Sequence, residues 1–372
     1  MSSLEQPQAV GLFCLSMIFR NEGPRIARAI ASVRPLLGAY ELSDTGSIDD
    51  SRAQAETALA GLSGAIHVDR WYDFSHNRNL SLERARKHEM PILFLDCDDE
   101  IVIGCEEQAQ EWDVLTAWAF DGPLRHRRVL AVNPHAPTFW DGSLHEQLTW
   151  VSAFVPKCVH SNYLGIRYRH DGDRHQNGNE TTERDIELLQ AVQKGCASYD
   201  RSQYYLARTL HHAGEAQRAI TVYKQYLATH ETSDETTFHA NWSLAALTEA
   251  VDGSTEEILA YLEIATASRP SRVEPVIMAA RVLREAGYVA RAFNICSDAL
   301  AHAGNIPDDD FVDVSYYGWR LYDEMATLAI LICSPDVGRQ CIAKALRSPF
   351  LPNLDRDRLV ENLSLIENVT LL

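Results

Sequence analysis

The 372-residue chain lacks any apolar run long enough to span a membrane, and its first ten residues are polar and acidic. A spanning helix needs about 20 apolar residues, and a secretory leader needs an apolar core. Both are missing, so a soluble, cytoplasmic protein with no membrane partner is expected. Paired cysteines are missing as well. Eight cysteines are spread through the chain with no C-x-x-C pair, which argues against a zinc ribbon or disulfide framework and predicts reduced, mostly buried thiols. Positive charge is scarce, with 34 Lys and Arg against 52 Asp and Glu for a net charge of -18. The deficit is not a tail, because residues 1–180 hold 17 basic and 25 acidic side chains and the remainder 17 and 27. Duplex nucleic acid is therefore an unfavourable partner, short of being ruled out. Arg125, Arg127 and Arg128 are a local exception and read as a solvated turn. Neither G-x-G-x-x-G after the first apolar run nor G-x-x-x-x-G-K-[ST] occurs, which disfavours a dinucleotide fold or P-loop.

What is present has two rhythms. Up to about residue 170, short apolar runs alternate with amphipathic stretches. GLFCLSMIF (11–19), GAYELSD, GAIHVDRW and MPILFLD read as strands. PRIARAIASVRPLL places Ile26, Ala27, Ile30 and Val33 on one helical face, and SRAQAETALAGL and SHNRNLSLERARKH are further helices. The alternation predicts a mostly parallel sheet with helices on both faces and a ligand crevice beyond the carboxyl ends of the strands. Residues 20–22, 44–47 and 96–98 all fall at such ends.

After about residue 180 helices dominate. Three units of paired helices align so that Ala207, Ala246 and Ala280 occupy one position, and Ala219, Ile258 and Ala292 another. Small residues recurring at about 34 residues form the tetratricopeptide pattern, in which close helix contacts demand them. YYGWRLYDEMATLAILI and DVGRQCIAKAL read as a divergent capping pair. The organisation expected is an α/β domain over residues 1–180 and an all-α tetratricopeptide-like domain over 181–372.

ILFLDCDDE (92–100) ends a buried strand in acids. As a plain turn, Asp99 and Glu100 would serve solubility. As a site, Asp96 and Asp98, one residue apart, can both reach a hard cation such as Mn²⁺ or Mg²⁺ that still keeps positions open for a diphosphate. Cys97, between carboxylates, reads as an inert thiol.

Four ordered stretches, LSMIFRNE, LSDTGSIDDS, DFSHNRNLSL and ILFLDCDDE, resemble the family-2-type glycosyltransferases of the GT-A fold, whose versions read S-M-I-x-K-N-E, V-D-T-G-S-T-D-G-T, D-F-S-x-x-R-N and L-D-A-D-E. WDGSLHEQL and IRYRHDG resemble that family's later elements. The branch with a tetratricopeptide tail, including peptide S-glycosyltransferases of the sublancin type, is similar across nearly the whole chain. Departures are Arg20, Asp50 and Cys97 at positions that usually hold Lys, Gly and a small residue. The resemblance implies a metal-dependent, inverting transferase using a nucleoside diphosphate sugar, UDP-sugars favoured. By the same carry-over, Asn21, Glu22, Asp44, Arg78 and Asp96 would contact the donor, and Asp96, Asp98, His170 and His145 would be the metal candidates. Glu146 would be the base that takes the acceptor proton, with Asp141 as alternative. An Asx-turn role for Asp44, a surface-arginine role for Arg78 and packing roles for Trp140 and Trp150 are the plainer readings.

A peptide or protein acceptor is expected, because repeat stacks form grooves for extended chains. Saccharide and hydroxymethylated DNA bases are alternative acceptors, and a homodimer fits the helical tail. A non-catalytic tetratricopeptide scaffold with a relic nucleotide-sugar domain is the reading from a different class.

Overall fold

The computed structural model describes residues 11–104, 111–169, 171, 178–229 and 232–369. The chain divides into two compact units, Met1–Asp121 with His126–Ser202, and Gly122–Arg125 with Gln203–Leu372. The division thus falls later than residue 180 and assigns the short segment 122–125 to the second unit.

The first unit runs β1 (Phe13–Phe19), α1 (Gly23–Val33), β2 (Leu37–Asp44), α2 (Ser51–Ala58), β3 (Ser63–Val68), α3 (Phe74–Ala85), β4 (Ile92–Phe94), β5 (Asp99–Ile103), β6 (Val114–Asp121), β7 (Leu124–Val132), β8 (Thr138–Asp141), β9 (Gln147–Trp150), β10 (Cys158–Tyr168) and α4 (Gly178–Ala191). The main sheet is ordered β3-β2-β1-β4-β7-β6-β10-β5, and β8 pairs with β9 separately. Strands β3, β2, β1 and β4 are parallel. Beyond them β7 runs antiparallel to β4, and β5 antiparallel to β10, while β10 is parallel to β6. The mostly parallel sheet expected is therefore parallel over four strands and mixed beyond. The reason is connectivity: after α3 no helix crosses back between β4 and β10 among the described residues, and a short turn such as Gly122-Pro123 can join only antiparallel neighbours.

Strand β1 is buried on both faces, which is why its sequence shows no polar alternation. Phe13, Leu15, Met17 and Phe19 share a core with Ile26, Ala29, Ile30 and Val33 of α1. Cys14 lies in a second cluster with Leu82 and Ala85 of α3 and with Ile92 and Phe94 of β4. Ser16, on the α3 side, is satisfied by Ser81 Oγ at 2.8 Å. Full burial of an apolar side chain such as Leu15 contributes roughly 1.5–3 kcal/mol. Helix α1 begins with Pro24 in its first turn, and it buries Ala29 where the sequence suggested Ala27, which is half-buried.

The second unit is a tetratricopeptide-like helical domain. Its helices are α5 (Tyr199–His212, whose first residues fall in the first unit), α6 (Ala216–Thr229), α7 (Asp234–Ala250), α8 (Thr255–Ser268), α9 (Glu274–Glu285), α10 (Val289–Ala299), α11 (Trp319–Leu331), α12 (Pro335–Ala345) and α13 (Asn353–Val369), with a short strand β11 (Val312–Asp313). Ala207, Ala280, Ala219, Ile258 and Ala292 are buried as the repeat pattern requires. Ala246 is half-buried and its neighbour Ala245 is sealed instead. Ser233 and Ser254 cap α7 and α8 by accepting from the backbone N–H of Thr236 and Glu257, each at 3.2 Å. Gly214 and Gly287 turn α5 into α6 and α9 into α10 at φ of +76° and +86°, where a side chain would be strained. Helix α13 extends the domain beyond the expected capping pair.

No helix among the described residues is long and apolar enough to cross a membrane. The seven described cysteines are all free; Cys14, Cys97, Cys296 and Cys341 are buried and the other three exposed.

Candidate active site at the carboxyl ends of the parallel strands

The loops that follow β1 and β2 are tied together by side chains of the D-T-G-S-I-D-D-S stretch. Ser47 Oγ accepts from the backbone N–H of Asn21 at 3.0 Å, and Asn21 Oδ1 accepts from the N–H of Ile48 at 2.9 Å. Ser51 Oγ accepts from the N–H groups of Glu22 and Gly23, each at 2.7 Å, and Asp49 accepts from Gly23 at 3.2 Å. Asn21 takes a left-handed φ of +55° to make this crossing, a conformation asparagine tolerates. The polar residues of this stretch thus fix the β1 and β2 loops against each other. Glu22 pairs with Arg25 at 2.6 Å.

Asp44 is buried, and its Oδ1 closes an Asx-turn with the N–H groups of Gly46 and Ser47 at 3.1 and 2.8 Å. Its Oδ2 has no hydrogen-bond partner among the described residues. The plain turn role and an available acceptor atom therefore coexist in one carboxylate.

Near these strand ends an ionic cluster is assembled from four chain-distant segments. Arg78, on α3, donates through Nε to Glu146 at 2.5 Å and through a terminal nitrogen to Asp96 at 2.6 Å. Arg128, on β7, donates to Asp96 and to Asp99. The Arg78 side chain is only 11% exposed, which sets aside its surface-arginine reading. The guanidinium of Arg78 lies 5.3 Å from the centroid of the Trp140 ring, which also meets Phe94 edge-on at 5.0 Å. Trp140 is thus a packing residue that backs the arginine, whereas Trp150 is 39% exposed.

The electrostatics follow from this pairing. Although burial opposes ionisation of Asp96, Arg78 and Arg128 together hold its carboxyl well below the usual range. Asp99 is pushed up to about 7, chiefly by burial. Its side chain is 1% exposed and its Oδ1 is buried without a partner among the described residues. A solubility role for Asp99 is thereby overturned: the acid opens β5 and points inward. Asp98 is half-buried, its carboxylate meets only its own backbone N–H, and burial and the Asp96 charge raise its pKa. Burial, then the charges of Glu22, Asp96 and Asp98, drive the Cys97 thiol well upward, as an inert thiol requires.

Glu146 and Asp141 flank the β8–β9 turn, where Asp141 lies opposite Gln147. The Asp141 carboxylate makes no hydrogen bond or ion pair among the described residues. His145 sits between them at a φ of +51°, its carbonyl accepting from Arg201 at 3.0 Å. His170 lies outside the described residues. Three of the residues singled out from sequence, Arg78, Asp96 and Glu146, are brought into direct contact, while Asn21, Glu22 and Asp44 line the neighbouring loops.

Sequence reasoning missed Arg128, which was read as part of a solvated turn. It is a strand residue, and the apolar run Val129–Val132 that directly follows it, ending in three buried residues, is the signal that could have placed it on a strand.

A divalent cation needs oxygen or nitrogen ligands that are not already engaged. No group of three His, Cys, Asp or Glu able to hold a metal occurs among the described residues. Asp96 is committed to two arginines, so Asp98 is the strand-end acid whose chemistry fits a cation, with the remaining ligands coming from a bound phosphate or water.

No family model matches the chain. A TPR repeat-containing protein of Synechococcus elongatus is 36% identical over 95 residues, which span 26% of this chain and 22% of that protein. Among solved structures, MamA aligns at a TM-score of 0.37 and 15% identity over 47% of this chain and 93% of its own. BtubC from P. vanneervenii aligns at 0.41 and 14% identity over 52% and 84%. A tetratricopeptide repeat protein from Parabacteroides merdae aligns at 0.38 and 15% identity over 52% and 68%.

Proposed function

We propose that the first unit, in a GT-A-like arrangement, binds a nucleoside diphosphate sugar at this cluster and transfers the sugar with inversion to a peptide or protein acceptor. The observation that carries the reading is the convergence of Arg78, Arg128, Asp96 and Glu146 on one point at the ends of parallel strands. Two planar guanidiniums side by side suit diphosphate oxygens, and in the free protein carboxylates hold both in place. Asp44 Oδ2 and the Asn21–Glu22 loop would take the nucleoside, for which a uracil nucleotide is favoured. A cation, Mn²⁺ or Mg²⁺, held by Asp98 would offset the charge of the leaving diphosphate.

In the transfer, the acceptor heteroatom forms its bond to the anomeric carbon as the bond to the diphosphate oxygen breaks, the electron pair leaving on the diphosphate. The acceptor proton goes to a carboxylate. Glu146 is already bound by Arg78, so the unengaged Asp141 is the better placed of the two bases, with Glu146 orienting Arg78.

A second reading has its own support. The curated relative is a tetratricopeptide protein, which favours an interaction protein whose first unit is not catalytic. Thermal denaturation with UDP-, GDP-, dTDP- and CMP-sugars, with and without Mn²⁺, separates the two. The transferase reading expects a metal-dependent rise in melting temperature with one donor, lost in Asp98→Ala. Folded protein that responds to none of the donors leaves the interaction reading standing.

A further inference from the structure

A cavity of about 430 Å³ opens at the amino ends of the parallel strands in the first unit, lined by Pro91, Glu111, Trp112, Asp113, Asn133 and Lys157. The strand register brings these residues together. Ile92 opens β4 beside Val132 at the close of β7, and Val114 opens β6 beside Cys158 at the start of β10. The ionic cluster lies at the other end of the sheet, where Asp96 follows the carboxyl end of β4. Ligand pockets commonly enclose roughly 300–1,000 Å³, so the volume suits a small molecule.

The lining is fixed by backbone bonds. Asp113 N–H donates to the Lys157 carbonyl at 2.9 Å, and the Asp113 carbonyl accepts from Asn133 N–H at 2.9 Å. Asp113 Oδ2 accepts from Lys157 N–H at 2.8 Å, and Asn133 Oδ1 accepts from His135 N–H at 3.0 Å. The Pro91 carbonyl accepts from Cys14 N–H at 2.8 Å. Trp112 is half-buried and packs against the core that β1 shares with α1. Side chains held on strand ends in this way lose little freedom when a ligand arrives.

Four polar groups of this lining remain unengaged. Asp113 Oδ1, the Asn133 amide N–H groups, the Glu111 carboxylate and the Lys157 ammonium make no hydrogen bond or ion pair among the described residues, although opposite charges share one cavity. We infer that this cavity binds a neutral saccharide, one pyranose ring of which lies against Trp112 and Pro91 while its hydroxyls meet the polar groups. Every sugar hydroxyl both donates and accepts, and the lining offers both functions: the carboxylates accept, and the ammonium and the amide donate. An anion would face two carboxylates and a cation would face the ammonium, whereas a neutral polyol suits all four groups. The C–H face of a pyranose is apolar and flat, which matches an indole beside a proline ring. Sugar transfer at the other end of the sheet is not required for this binding, which holds equally for a non-catalytic first unit.

The test is a saturation-transfer NMR titration of the full chain with the methyl glycosides of glucose, galactose, mannose and N-acetylglucosamine. Saturable binding of at least one of them is expected, weakened at least fivefold by Lys157→Gln and by Glu111→Gln, two exposed positions whose substitution leaves the fold intact. Trp112→Leu, which keeps an apolar side chain against the core, should weaken it as well. Asp98→Ala, at the other end of the sheet, should leave the affinity unchanged. Absence of saturable binding by the wild type, unchanged affinity in Lys157→Gln and Glu111→Gln, loss of binding in Asp98→Ala, or displacement of the sugar by the zwitterion glycine betaine would each overturn the assignment.

Discussion

Two buried ionic clusters, one in each unit, use the same side chains to different ends. In the helical unit Arg272 is 1% exposed and Glu274 fully buried, and Nε and both terminal nitrogens of the arginine are bonded, to Glu274 and to two carbonyls. The second oxygen of Glu274 accepts from the Tyr317 hydroxyl at 3.0 Å. In the α/β unit Arg78 and Arg128 share Asp96, yet Asp98 and Asp141 lack side-chain partners among the described residues, and Asp99 has a buried oxygen without one. Buried polar groups are ordinarily satisfied, so a satisfied cluster reads as architecture and an unsatisfied one as a place where something binds.

The largest effect should come from breaking the satisfied cluster. Glu274→Ala strands the Arg272 charge and is expected to destabilise the helical unit by about 3–5 kcal/mol in urea denaturation. A loss under about 1 kcal/mol would remove the contrast between the two clusters. In the α/β unit, Asp96→Asn should cost less, roughly 1–3 kcal/mol, because Arg78 keeps Glu146 and Arg128 keeps Asp99. The same variant is expected to abolish any donor-dependent rise in melting temperature; a variant that loses stability but keeps that response would place the donor elsewhere.

The most gradual effect is a pH slope. Burial, then Arg272, Arg208 and Arg269, lower His239 to about 3. The unfolded chain therefore takes up a proton below the ordinary histidine value near 6.5 while the folded unit does not. The stability due to neutral His239 is complete above about pH 6.5 and falls as pH drops toward 3, by at most about 1.4 kcal/mol per pH unit. Urea titrations from pH 4.5 to 7.5 should show this slope in the wild type and a flatter one in His239→Phe. Parallel curves would mean that the ring protonates without cost in the folded state.

Much of the fold was legible. Strands β1 and β4 announce themselves because burial on both faces leaves nearly unbroken apolar runs. The helical repeats were readable from six aligned positions, five of them alanine, of which Ala246 alone is not buried. The second half of the sheet was harder to read. LRHRRVLAV carries its arginines on a strand whose first residues are only half-buried, so composition alone suggested a solvated turn. Asp99 was misread for a related reason: an acid after a strand is usually wet, and only the presence of Arg128 beside it makes the buried position tenable.

The sequence by itself determined the periods of the elements, the acidic balance, the strand ends at Asp44 and Asp96, and the small residues that let helices approach. These are local properties, fixed by which side chains a strand or helix must bury. Which carboxylate is engaged and which is open was decided only in three dimensions. Arg78 meets Glu146 across 68 residues, Arg128 meets Asp96 across 32, and Arg272 reaches the Phe311 carbonyl across 39. Ion pairing depends on distance and burial, and neither is written in the order of the chain.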